Sequence, residues 1–178
     1  MDIISEVEKK VYSLCDFKEE WISKKLDEDA ILWSAVFGHH LRSPFIFILD
    51  KDTGTKTKTK KSFRGQLSNE DKKVPEFKSN QLRKFFGALR EFENKLEKPN
   101  VKATYEEKKK MFPKTEFMLM LPKIAYAVGR ESKEEAKIKD FFEAINKQMQ
   151  LVVDYDSFMN MMKLLESTVA FHKYYGGE

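Results

Sequence analysis

The sequence has few of the residues that several common protein classes require. Its single cysteine, Cys15, excludes an intramolecular disulfide framework. Seven glycines and five prolines are few for a β protein with many turns. No apolar run approaches the ~20 residues of a membrane span, and charges interrupt the N-terminal MDIISEVEKK where a signal peptide needs an apolar stretch. We therefore expect a cytoplasmic protein that does not enter a membrane.

Recognisable catalytic motifs are also missing. The sequence contains no Walker-type phosphate loop, no GxGxxG and no GxSxG. His39 and His40 are adjacent and would point about 100° apart on a helix, which disfavours joint coordination of a metal. Asp154 and Asp156 are typical of helix caps. We therefore predict a chain that is not an enzyme and has no metal site and no cofactor.

Hydrophobic periodicity predicts helices over most of the chain. The stripes occupy residues 3–36, 79–96, 115–130, 141–152 and 158–169. Gly38 is expected to end the first helical region, and Gly176-Gly177 the last. The nearly continuous apolar segment 115–130 is expected to be the central, most buried helix, kinked or divided at Pro122. This pattern predicts an all-α fold, a compact bundle of about five helices with long crossovers.

The segment between the helical regions is different in character. Residues 44–49, PFIFIL, fit a short strand or a buried helical turn, and the lack of an obvious partner strand favours helix or irregular structure. Residues 51–79 contain nine Lys or Arg and four Asp or Glu, which predicts a mobile loop. This loop is either a solvated spacer or a basic finger that orders on a phosphate backbone. The chain therefore divides into an N-terminal helical segment (1–50), a basic mobile loop (51–78) and a helical core (79–178).

Two predicted helices carry basic residues opposite their apolar stripes. On the first, these are Arg83, Lys84, Arg90 and Lys95. On the second, Lys123, Tyr126 and Arg130 share one face because they are spaced at i, i+3 and i+7. If the two helices pack side by side, their basic faces can join into one stripe. Such a stripe suits phosphate contacts with Tyr stacking on a base, and a merely solvated surface is the alternative.

Three segments, taken together, resemble the small subunit of type III-A CRISPR effector complexes, the Csm complexes. SNQLRKFF (79–86) is similar to the family's Ser-Gln-Ile-Arg-Lys, with Asn80 inserted. LPKIAYAVGR (121–130) is similar to Leu-x-Lys-x-Ala-Tyr-x-x-Gly-Arg. LLESTVAFHKYYGG (164–177) is similar to Glu-Ala-x-Val-Ala-Tyr-His-Lys-x-x-Gly-Gly. Their order and spacing also fit, and the resemblance covers residues 79–177.

The resemblance implies a five-helix, non-catalytic, RNA-binding subunit that helps to hold the guide RNA–target RNA duplex through backbone contacts. Its partners would be guide RNA, target RNA, the backbone and large subunits of the complex, and copies of itself. His172 and Lys173 match the third motif and are expected to serve packing or subunit contacts. The expected RNA-binding residues are Gln81, Arg83, Lys84, Lys123, Tyr126, Arg130 and, from the basic loop, Lys56, Lys58, Lys60 and Lys61.

Two other functions stay open at this stage. A helix-turn-helix DNA-binding regulator would need two helices joined by a short turn, and the pattern indicates no pair with that spacing. A helical protein–protein scaffold would leave the basic faces merely solvated. The sequence does not fix the copy number or the oligomeric state in isolation, and a homodimer is compatible with apolar helices that lack their normal partners.

Overall fold

The computed structural model describes residues 17–42, 46–49, 56–59, 79–100, 102–131 and 136–176. Within these ranges the chain forms eight helices and one antiparallel pair of strands. The elements are α1 (Glu20–Ser23), α2 (Glu28–Arg42), β1 (Ile46–Leu49), β2 (Lys56–Thr59), α3 (Ser79–Lys95), α4 (Tyr105–Met111), α5 (Lys114–Met118), α6 (Met120–Glu131), α7 (Ala136–Leu151) and α8 (Tyr155–Tyr174). Five of these helices, α2, α3, α6, α7 and α8, have at least 12 residues. The predicted all-α bundle is confirmed.

Helices α2 and α8 form the most extensive interface among the described elements. They cross at Gly38, where a Cβ atom would lie 2.7 Å from the backbone nitrogen of His172 and 2.7 Å from the backbone oxygen of Thr168. One turn earlier, the buried Ser34 places its Oγ 3.3 Å from the Leu164 carbonyl oxygen. Small residues one turn apart therefore let α8 lie directly against the backbone of α2.

The prediction that Gly38 ends the first helical region is wrong. Helix α2 continues through Gly38 to Arg42, because this glycine keeps a helical conformation and serves the close approach of α8. The predicted stop at the other end of the chain is confirmed, since α8 ends at Tyr174. Gly176 follows with φ at 91°, a left-handed conformation that favours glycine.

The start of α8 is fixed by a reciprocal pair of capping hydrogen bonds. The Asp154 carboxylate accepts from the backbone N–H of Ser157 at 2.8 Å, and the Ser157 hydroxyl accepts from the backbone N–H of Asp154 at 3.0 Å. Of the two caps that the sequence allows, Asp154 is therefore the one used. Asp156 instead pairs with Lys108 of α4 at 2.8 Å.

Residues 17–42 and 79–176 contribute to one hydrophobic core. On the N-terminal side, Trp33 packs against Phe17 and Phe37 with ring centroids 5.4 and 5.0 Å apart. On the other side, a group of phenylalanines connects α3, the α4–α5 link, α5 and α8. Its members are Phe92, Phe112, Phe117 and Phe158.

The segment 115–130 is not the central, most buried helix that its apolar composition predicts. It divides between α5 and α6 around Leu119, and Pro122 lies in the first turn of α6, where its missing N–H needs no helical partner. Phe117 is buried, but the side chain of Leu119 is 60% exposed. Helix α8 occupies the centre instead, because buried side chains line most of its length.

The residues between α2 and α3 include a short hairpin, so the preference for helix or irregular structure at 44–49 is wrong. Strand β1 pairs with β2 from Ile46 opposite Thr59 to Leu49 opposite Lys56. Part of the Thr-Lys run, predicted to be a mobile loop, is therefore a strand. The alternating β-branched residues of both strands favour extended pairing. Residues 51–55 and 60–78 of the predicted loop lie outside the described residues.

Substituting Gly38 tests the close crossing of α2 and α8. We expect Gly38→Ala to lower the free energy of unfolding by about 1–3 kcal/mol, because the new methyl group overlaps the α8 backbone and forces the helices apart. Urea unfolding followed by circular dichroism measures the change.

Gly87 of α3 is the matched control, because a Cβ atom there would have no heavy atom within 4 Å. Gly87→Ala should raise the free energy of unfolding by about 1 kcal/mol through helix propensity alone. Equal stabilisation by both substitutions would contradict the close crossing.

Lys114 closes the end of α7, and its removal should destabilise the bundle. Its half-buried Nζ donates to the carbonyl oxygens of Met149 at 3.0 Å, Gln150 at 3.3 Å and Val152. Burial lowers the pKa of this ammonium, while three acceptors at a helix C-terminus favour its charged form.

We expect Lys114→Met to lower the free energy of unfolding by about 1–2 kcal/mol, because it removes the donor that these helix-end carbonyls share. The exposed Lys110 of α4 provides the control substitution, Lys110→Met, which should change stability by less than about 0.5 kcal/mol. Indistinguishable thermal unfolding curves for the two variants would contradict the capping role.

Candidate nucleic-acid interface

Helix α3 buries one face and exposes cations on the other, two of them adjacent in its first half. Leu82, Leu89 and Phe92 are buried at helical spacing, as the apolar stripe predicts. Arg83 and Lys84 are exposed, and neither forms an ion pair with another described residue. Both are therefore available to an external anion. Gln81 also lies in α3, but its side chain is outside the described part of the chain.

Arg90 belongs to the packing of α3 rather than to this exposed pair. Its guanidinium pairs with Glu93 at 2.5 Å and with Glu166 of α8, and it lies 5.0 Å from the centroid of the Phe86 ring. Arg90, which the helical pattern places on the same side as Arg83 and Lys84, is therefore engaged within the bundle. The Glu93 three residues later is the sequence signal for this pairing.

Helix α6 presents a face that is both cationic and apolar. Lys123 is exposed and Tyr126 is 72% exposed, whereas Ile124 packs against the hydrophobic core. Lys123 forms no ion pair within the described residues. The predicted shared face of Lys123 and Tyr126 is confirmed by this burial pattern. Arg130 lies in the same helix, with its side chain outside the described residues.

The two basic faces do not meet in the way that side-by-side packing would produce. Helix α3 packs on α8 and contacts α7 through the Phe85–Phe141 ring pair at 5.2 Å, whereas α6 packs mainly on α7 and α5. Helices α3 and α6 share no extensive interface across their described residues. The condition for one continuous stripe on these helices is therefore not met, and α5 and α7 lie between them, each in contact with both helices.

The basic residues of the predicted loop are only partly described. Lys56 and Lys58 lie in β2, opposite Leu49 and Phe47 in the strand register. Lys60 and Lys61 lie outside the described residues. The backbone therefore places two of these four lysines on a β-ribbon that precedes α3.

Several other lysines are paired with carboxylates. Lys18 pairs with Asp29 at 2.6 Å, and Lys108 pairs with Asp156 at 2.8 Å. Asp156 accepts a hydrogen bond from Lys108 and raises the pKa of that ammonium. Arg83, Lys84 and Lys123 are thus distinguished from these lysines by the absence of a described carboxylate partner.

The histidines serve packing. His40 Nε2 lies 2.9 Å from Asp140 Oδ2 at a fully buried position, and the His39 ring contacts the Tyr175 ring at 4.6 Å between centroids. His172 is buried where α8 meets Gly38, and Cys15 lies outside the described residues. Across the described ranges, no three His, Cys, Asp or Glu side chains are grouped as metal ligands.

None of the helices that the structure describes is both long and apolar enough to cross a bilayer.

Comparison with known families agrees with the resemblance in the sequence. The model of a family described as Csm2 Type III-A matches residues 61–178, more than half of the chain. This range contains the segments 79–86, 121–130 and 164–177. No curated protein and no solved structure matches the chain. The chain therefore belongs to the Csm2 Type III-A family, the small subunits of the type III-A Csm complex.

Proposed function

We propose that this chain is a non-catalytic, RNA-binding small subunit that helps to hold the guide RNA–target RNA duplex through backbone contacts. Its partners are guide RNA, target RNA, the backbone and large subunits of the complex, and copies of itself. Family membership supports the place in a multi-subunit complex. The RNA contact is supported by the unpaired cations on α3 and α6.

One observation supports backbone contacts most directly. Arg83, Lys84 and Lys123 are exposed on helices and lack a carboxylate partner among the described residues. A cation held on a helix and free of internal pairs is suited to a phosphate, whose position does not depend on base identity. Binding through such contacts is independent of sequence, as a subunit that must accept any guide requires.

The helix-turn-helix alternative does not fit the packing of the helix that would have to read DNA. Helices α7 and α8 are joined by only three residues, 152–154, so the expectation that no helix pair has this spacing is wrong. The second helix of such a unit must enter the major groove of DNA. In this chain it would be α8, whose buried side chains, spaced from Ser157 to His172, pack against the rest of the bundle. The stripe that α8 leaves exposed at Asp156, Lys163 and Ala170 carries one lysine and one acid, which does not suit a recognition helix.

The scaffold alternative is favoured by one observation, the exposed apolar side chains at the α5–α6 junction and on α6. Leu119 and Tyr126 are 60% and 72% exposed, and large exposed apolar side chains mark protein contacts when they occur together. We propose that α6 contacts a neighbouring protein subunit in addition to its RNA contact at Lys123. The two functions are compatible in one small subunit.

Charge reversal tests the RNA contacts. We expect the variant with Arg83, Lys84, Lys123 and Arg130 all replaced by Glu to bind a synthetic guide–target RNA duplex more weakly. We also expect the slope of log affinity against log salt concentration to fall by about one for each lost phosphate contact. Filter binding over a series of salt concentrations measures both quantities.

The control variant replaces four other exposed lysines by Glu: Lys102, Lys109, Lys110 and Lys163. Four reversals of two units each take the formal net charge from +4 to −4 in both variants, so a difference between them reports position rather than total charge. Unchanged affinity and slope in the first variant, with its circular dichroism spectrum intact, would contradict the proposed RNA contacts.

A further inference from the structure

Gly87 lies in the middle of α3 without a packing reason for a glycine. A Cβ atom at this position would meet no heavy atom within 4 Å. A glycine in a helix interior costs about 0.5–1 kcal/mol relative to alanine. Gly38 shows the opposite situation, since its missing side chain admits α8. No contact within the described part of the chain accounts for glycine at position 87.

The position of Gly87 relates it directly to the exposed cations. Residues three and four apart are neighbours on a helix surface, so Gly87 adjoins both Lys84 and Arg83. A helical side chain leans toward the N-terminus and covers the turn before its own Cα. A side chain at position 87 would therefore cover the surface between Arg83 and Lys84. With glycine, the helix backbone is bare beside two cations.

The rest of the exposed α3 face indicates which partner this surface fits. Its exposed residues are Arg83, Lys84, Gly87, Ala88, Glu91, Asn94 and Lys95. None of them is a large apolar side chain, in contrast to Leu119 before α6 and Tyr126 on α6. A protein interface normally has aromatic or large apolar residues at its centre. Two unpaired cations beside bare backbone fit a polyanionic strand instead.

We propose that the sugar–phosphate backbone of one RNA strand crosses α3 at Gly87, with its phosphates held by Arg83 and Lys84. This inference rests on the proposed RNA-binding function and adds a positioning residue to it. Gly87 acts by lacking a side chain, which lets the strand approach the helix within reach of both cations. Any side chain at this position lifts the strand away from them.

The test uses the full-length chain with Gly87→Ala and Gly87→Gln, and a synthetic guide–target RNA duplex as the probe. Both new side chains are uncharged, and both substitutions replace glycine by a better helix former. We expect higher thermal stability together with weaker RNA binding, by on the order of tenfold for Gly87→Gln if about one charged contact is lost, and by less for Gly87→Ala. If the substitutions acted on RNA binding only through protein stability, RNA affinity and thermal stability would rise or fall together.

The salt dependence gives a second readout that a structural role would not move. If Gly87→Gln displaces phosphates from Arg83 and Lys84, the slope of log affinity against log salt concentration falls by about one per lost contact, although no charge has changed. The matched control is Ala170→Gln, which adds the same side chain at an exposed position of α8. It should leave affinity and slope unchanged.

The outcomes separate this inference from the proposed function. Weaker binding and a lower slope for Gly87→Gln, absent from the control, support the crossing at Gly87. Unchanged binding for Gly87→Gln, while Arg83→Glu with Lys84→Glu weakens it, overturns the inference and leaves the proposed function intact. Unchanged binding for Gly87→Gln and also for the variant with Arg83→Glu and Lys84→Glu overturns the inference and the proposed function together. Unchanged RNA binding with loss of assembly into the purified complex would show that a protein subunit covers this surface, which also overturns the inference.

Discussion

The close crossing of α2 and α8 at Gly38 is the constraint on which the rest of the bundle depends. Because the α8 backbone lies against a residue without a side chain, the buried side chains on both sides of the crossing can pack without a gap. Helix α8 then supports α3 and α7, and α7 in turn supports α6. The family match begins at residue 61, so α2 lies outside it. The longest helix of the matched region is therefore packed on a helix that the match does not include.

The charged residues fall into two groups with different roles. Arg90, Lys108 and Lys114 hold elements of the bundle together through carboxylates or helix-end carbonyls. Arg83 and Lys84 have no such partner among the described residues and stand beside bare helix backbone at Gly87. In water, an exposed ion pair contributes little to stability, so the absence of partners costs the fold almost nothing. It leaves the cations available for phosphates, where counterion release makes each contact effective.

Much of this architecture follows from local patterns in the sequence. The apolar stripe of α3, the cap at Asp154 and the stop at Gly176 are set by neighbouring residues, and all three are predictable. Tertiary contacts decide the rest. The sequence does not show that Gly38 admits another helix, since glycine is equally typical of a helix end. Nor does composition reveal that Leu119 and Tyr126 are exposed, because exposed interfaces and buried cores use the same apolar residues. Among the site residues, exposure of Arg83, Lys84, Lys123 and Tyr126 follows from helical periodicity, whereas the engagement of Arg90 by Glu166 depends on the packing of α3 against α8.

The central claim is that this subunit touches RNA within its complex. The most direct measurement is ultraviolet cross-linking of the complex purified from its own host, followed by mass spectrometry of peptide–nucleotide adducts. The account predicts adducts on peptides that contain α3 and α6, with guide RNA among the cross-linked nucleic acid. Adducts confined to the other subunits of an intact complex, with none on this chain, would contradict it.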